Sequence, residues 1–310
     1  MSTAIFTSLA PTLPGARTFG RSGEVDRAIL RTVLYAALFQ APLTVSQLHR
    51  SLMDVGVDRI EIRSRLRRSY LRERLECRGE NVYLRGREAC LDLHHERRRR
   101  TRELLETHRP LLQMVARLPF VRLVALSGAC AHDNATDGNV DLFLVVRRGR
   151  AWSVCLATLI LARALGRART LGLNYIVDED GLALPEHDLF TAAEIVGLRP
   201  LAGGPSYLRF VEANAWVAER FPNFFWMRRD AGQVPPAGAP RWLEAALDLG
   251  LQSTLEALCR RVLGARFRRR WDGSSGVVLS PRRLKLHPVD HAPGLRAAFA
   301  EVVERAEADE

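Results

Sequence analysis

Lysine is almost missing from this 310-residue chain: Lys285 is the single one, which leaves 45 of the 46 basic residues as arginine. So uniform a choice reflects coding bias as much as selection for guanidinium chemistry, so clustering of arginines carries more weight than any one of them. Cysteine is scarce too. Cys77, Cys90, Cys130, Cys155 and Cys259 are odd in number, widely spaced and free of any C-x-x-C pair, which argues against a disulfide framework and a zinc site and fits a reducing compartment. The longest apolar stretch, Ala151 to Ala162, is shorter than the roughly 20 residues that span a bilayer. The start of the chain lacks the basic segment and continuous apolar run of a secretory signal. The expected location is therefore cytoplasmic, with no membrane partner. Walker loop, Rossmann glycine triplet and Ser-His-Asp order are absent as well.

What the chain has is length for two or three modules, 47% hydrophobic residues and an uneven positive charge. The formal net charge is +11, and residues 59–109 hold 16 arginines against nine acids, a local excess of +7. A local excess of this kind marks a nucleic-acid partner or an anionic ligand, with a solvated helix face as the bland alternative.

Periodicity divides the chain. Residues 1–23, rich in Ser, Thr, Pro and Gly, read as a loose arm. Over 24–87, apolar residues at helical spacing from Ile29 to Leu38 end at Ala41-Pro42, and Thr44 with Gln47 forms a capping-box pattern. Asp58 caps a helix running to Leu71, and ERLECRGENVYLRG alternates around Gly79-Glu80-Asn81. Three helices and a hairpin predict a winged helix, with a generic helical cap as the alternative. Residues 88–118 predict one long basic helix. Over 119–229 strands at Val121 to Leu126, Val140 to Val146 and Leu171 to Val177 alternate with helices, predicting an α/β (α+β) unit with a mixed sheet. A Pro/Gly linker over 230–240 and a mostly helical part over 241–310 complete the expectation.

The informative stretch is LVALSGACAHDNATDGNVDLFLVV, Leu123 to Val146. A glycine at a strand end lets backbone approach phosphates. Carboxylates at i and i+2 on a strand point to one side, where they can hold magnesium and align a triphosphate. This stretch resembles the nucleotidyltransferase superfamily signature, in which a strand ends in Gly-Ser or Gly-Gly and a later strand presents two such carboxylates. The order of segments from about Ile29 to Asn223, including LPFVRLVALSG, LNYIV, FTAAEIVGLRPLAGG and FVEANAWVAERFPN, is similar to a bacterial family that joins a helix-turn-helix to a nucleotidyltransferase domain.

The resemblance implies a site. Ser127 and Gly128 match the strand end, Ala129 stands where the family has Ser or Gly, Asn139 occupies the first carboxylate position and Asp141 the second. Asn174 falls where a third acid is expected, and Asp178 is the substitute for it; Asp133 and Asp137 are closer to the turn. The implied cofactors are Mg2+ and a nucleoside triphosphate. With a neutral Asn139, nucleotidyl transfer should be weak or lost, and Asn139→Asp should raise it. The implied partners are a nucleotide and, through Arg63, Arg67, Arg68, Arg97, Arg98, Arg99 and Arg100, DNA or RNA. The rival expectation is a non-catalytic winged-helix regulator that keeps the nucleotidyltransferase fold as scaffold or sensor.

Overall fold

The computed structural model describes residues 22–226, 233–248, 252–287 and 291–308. The arm expected over 1–23 lies outside them but for its last two positions, as do residues 230–232 of the expected linker.

The amino-terminal unit contains α1 (Ser22–Ala37), β1 (Leu43–Thr44), α2 (Val45–Arg50), α3 (Arg59–Arg65), α4 (Ser69–Arg74), β2 (Leu75–Arg78) and β3 (Asn81–Leu84). β3 pairs antiparallel with both other strands, giving the order β1-β3-β2. Its local signals work as the sequence predicts. Thr44 Oγ1 accepts from the Gln47 amide at 3.2 Å while Gln47 Oε1 accepts from the Thr44 amide at 2.8 Å, and Asp58 Oδ1 accepts from the Glu61 amide at 2.7 Å. Each cap satisfies amides that the first helical turn leaves without a partner. One helix to Leu71 does not form, however. Ile62 and Leu66 are four apart, but Leu71 is five further on, and an unbroken helix would turn it away from the core in which all three are buried. The chain breaks at Arg67 and Arg68 and restarts at Ser69.

The long helix α5 (Ala89–Ala116) leads into β4 (Val121–Ser127), α6 (Gly128–Ala131), β5 (Val140–Val146), α7 (Ala151–Ala164) and β6 (Leu171–Asp178). Then come α8 (Leu189–Gly197), β7 (Arg199–Ala202), α9 (Gly204–Ala213), α10 (Val217–Arg220) and α11 (Pro222–Trp226). The last elements are α12 (Arg241–Leu247), α13 (Gln252–Arg270), β8 (Val277–Leu279), β9 (Arg283–Leu286) and α14 (Ala292–Ala308). Six of the strands form one mixed sheet, ordered β7-β4-β5-β6-β9-β8, in which β5 and β6 alone run parallel. The described residues of 241–310 are mostly helical, as the sequence predicts, but β8 and β9, which it does not predict, extend the main sheet from the β6 edge. Strand β7 is also an addition, an edge strand able to carry Pro200 because one of its sides needs no amide donors.

Both faces of the sheet are covered, as a parallel strand pair in the middle requires. On one face Val124, Leu126, Leu142, Leu144 and Ile176 pack with Leu112 and Val115 of α5, Trp152 of α7 and Phe267 of α13. Trp152 is 1% exposed and its indole Nε1 donates to Ser280 O at 3.0 Å; truncation there would cost about 3–5 kcal/mol. On the other face Leu123, Ala125, Phe143, Val145 and Val177 join Ile195 of α8 and Phe210 of α9 in a core that continues into Ile29, Leu48 and Ile62 of the amino-terminal unit. That unit is therefore not an independent module: it shares its apolar interior with the sheet. Polar clips hold the same junction, with Arg50 donating to Val196 O at 2.8 Å, Asn223 Nδ2 to His49 O at 2.9 Å and Arg97 to Phe39 O at 2.9 Å.

Candidate functional site

Strand β4 ends at Ser127, whose register partner is Asp141 on β5, and Asp141 is in turn opposite Gly172 on β6. Gly128 takes φ 59°, the left-handed region that a residue with a side chain resists, and a Cβ there would lie 3.0 Å from Asp141 Oδ2. A methyl group at Gly172 would overlap Asp141 Oδ1. The carboxylate of Asp141 is therefore slotted between two glycines. Pairing on β6 skips from Leu173 to Tyr175, and the bulged Asn174 hydrogen-bonds the Asp141 carboxylate. Burial pushes the Asp141 carboxyl above its ordinary range, the charge of Asp137 adds to that, and His287 and the Asn174 bond oppose it. Ser127, 5% exposed, keeps its Oγ without a hydrogen-bond partner.

The other motif positions have partners of their own. Asn139 precedes β5 on an exposed turn, with its amide Nδ2 donating to Asp137 Oδ2 at 2.8 Å. Asn139→Asp would therefore set a second carboxylate against Asp137. Asp178 pairs with Val146 at the far end of the strand on which Gly172 faces Asp141, six residues and about 20 Å away at strand rise. Fully buried, it accepts from the Gly149 amide at 3.2 Å and the Asp180 amide at 3.1 Å. It is a loop anchor, and the expectation that it supplies a third acid is corrected. Asp133 is bound to Arg199 at 3.1 Å. Magnesium in such a site needs convergent oxygen ligands. Among the described residues no three His, Cys, Asp or Glu side chains gather as a metal group, and Asp141 is already held by glycines and an amide. The residues present do not fit the cation that the motif implies.

A second acid stands near Asp141 instead. Glu194 is the only charged residue of α8, LFTAAEIVG, and a lone acid in so apolar a helix is the signal that sequence reading passed over. Burial and the neighbouring charge of Asp141 push its pKa up to about 7, with Lys285 opposing. Lys285 lies on β9 opposite Tyr175, so the only lysine of the chain acts on this same sheet face.

From the Gly128–Ala129 turn a cavity of about 550 Å3 opens between the amino-terminal unit, α5, α6 and α8. Tyr35, Leu38, Phe39 and Phe221 supply apolar wall, and Arg50, His94, His132, Arg199 and Glu194 supply polar groups. His94 Nδ1 is buried there with no partner, and burial together with Arg98 lowers the His94 pKa. The volume falls within the roughly 300–1,000 Å3 of small-molecule sites.

The arginines expected to meet nucleic acid are largely spoken for. Arg63 forks onto Glu80 at 2.9 and 3.0 Å, and Arg68 faces Asp26 at 3.8 Å. Arg97 clips the amino-terminal unit, Arg99 pairs with Glu103 at 2.8 Å, and Arg100 pairs with Glu96 at 3.2 Å. Arg67 and Arg98 stay exposed with no ion pair among the described residues. Asn214, outside the sites above, is fully buried: its Nδ2 donates to Leu182 O and its Oδ1 accepts from the Leu184 amide, each at 2.8 Å.

No family model matches this chain, and no curated protein and no solved structure matches it either. What is established is a mixed α/β protein in which, among the described residues, no helix is long and apolar enough to cross a membrane.

Proposed function

We propose that this protein is a nucleotidyltransferase-type scaffold carrying a winged helix, that it binds a nucleotide in the cavity beside Gly128, and that metal-dependent transfer is weak or lost. The observation that carries this reading is the slot of Asp141 between Gly128 and Gly172, with Gly128 itself in the wall of a 550 Å3 cavity. A strand-end glycine facing a carboxylate on the antiparallel neighbour is the arrangement the motif requires. The neutral amide of Asn139, bound to Asp137, and the remote Asp178 support loss of the metal chemistry. The aromatic wall suits a base, and Arg50 together with the imidazoles of His94 and His132 can donate hydrogen bonds to phosphates.

A regulatory role is favoured by the shared core. The order α1-β1-α2-α3-α4-β2-β3, with β3 central, supports a winged helix in which α3 is the reading helix. Because the cavity lies at the seam between that unit and the sheet, occupancy biases how the two pack. The test is incubation of the chain with labelled nucleoside triphosphates, with and without magnesium. Saturable binding with little or no transfer is expected. Vigorous transfer that survives Asp141→Ala would overturn the assignment.

A further inference from the structure

A second recess runs along α5, meeting the first at Asp133 and Arg199. It is a groove of about 700 Å3 between α5 and the edge strand β7. Arg98, Arg102, Arg109 and Arg117 line it. At intervals of four, seven and eight residues they follow one helix face for roughly 28 Å. All four are exposed, and among the described residues none has an ion-pair partner. Arg99 and Arg100, their neighbours in sequence, are tied to Glu103 and Glu96. Arg199, on the opposite wall, is paired with Asp133, so Glu106 is the one further acid in the lining. The floor is aliphatic, from Leu105, Leu112 and Leu201, and no aromatic ring lines it.

We propose that this groove binds the phosphodiester backbone of a single-stranded nucleic acid. Four unpaired guanidinium groups along one line match a line of phosphates, each able to take a charge-assisted pair of hydrogen bonds. A recessed track suits one strand lying in it. With no aromatic ring on which bases could stack, contact falls on the backbone, so recognition is independent of sequence. The partner is placed on α5, not on the arginines of the amino-terminal unit, and the inference is independent of the nucleotide cavity: failure of a free nucleotide to bind leaves it intact.

The test is fluorescence anisotropy of the full chain with mixed-sequence single strands of DNA and RNA at 50 and 200 mM salt. Four phosphate contacts predict a log–log salt slope of about −3 for single strands, hence roughly a 50-fold loss of affinity between those concentrations. Arg98→Gln with Arg102→Gln should halve the slope. The fourfold variant, which adds Arg109→Gln and Arg117→Gln, should abolish it, while a thermal melt shows an unchanged fold. Arg63→Gln with Arg67→Gln should leave binding as it is. The proposal is overturned by undetectable binding at 50 mM salt, by a slope that the fourfold variant does not change, or by loss of binding in the Arg63/Arg67 variant. Tighter binding of a duplex than of either single strand, or capture by phosphatidylserine vesicles with oligonucleotide ignored, overturns it as well.

Discussion

Asp141 occupies the space that a side chain at Gly172 would need: a single methyl group there overlaps its Oδ1. Gly172→Ala should therefore destabilise the protein by about 1–3 kcal/mol through overpacking. The same substitution in an Asp141→Ala background should cost much less. Denaturant titration of the four proteins in a double-mutant cycle gives the coupling, and equal costs in both backgrounds would show that the two residues do not compete for one volume.

Glu194 gives a pH signature. Its folded pKa, about 7, exceeds the ordinary 4.5, so the native state holds the proton more tightly than the unfolded state. Stability is then highest below about pH 4.5, so far as this group decides it, and declines as pH rises through 7. The loss is on the order of 1–3 kcal/mol, allowing for screening by Lys285 and solvent. Glu194→Gln should flatten this limb and leave the variant more stable than wild type at pH 8. A wild-type melt that rises between pH 5 and 8 and is matched by the variant would contradict it.

The fold was legible wherever period and caps agree. Strand β5 falls on the residues the apolar run Val140 to Val146 predicts, and the Thr44 and Asp58 caps form as expected. Failures came where the deciding fact is tertiary. Strand β9 is four residues of RLKL beside an arginine pair, too short to distinguish from a loop until β6 offers it an edge. Asp178 lies next to a predicted strand and is an acid, but strand length puts it at the wrong end. Glu194 could have been found, since an apolar helix seldom carries one acid without use. The closeness of the amino-terminal unit to the sheet could not, because Ile29 and Phe143 share a core across more than a hundred residues of chain.

Glu244 anchors α12 to the sheet. At 4% exposure it takes two bonds from Arg122, at 2.7 and 2.6 Å, and one from the Phe120 amide at 2.7 Å. Burial pushes its pKa up, but these bonds hold it below the ordinary value. Its contribution is present above about pH 4.5 and is lost as pH falls through the lowered folded value. Glu244→Ala should cost about 1–3 kcal/mol at pH 7 by leaving the Phe120 amide unbonded and Arg122 with only the longer pair to Glu179, at 3.8 Å. A melting temperature within a degree of wild type would contradict that role.

The central claim is a nucleotide site in the cavity that works without a motif metal, and calorimetric titration of a nucleoside triphosphate tests it most directly. Two fillings serve as controls, Ala129→Phe and Ala193→Phe, each placing a ring in the cavity wall, with circular dichroism confirming that the fold survives. The account predicts one saturable site in the wild-type chain, the same affinity with magnesium or with a chelator, and at least a tenfold weakening in each filled variant. No heat from the wild-type chain, or filled variants that bind as well as wild type, would contradict it.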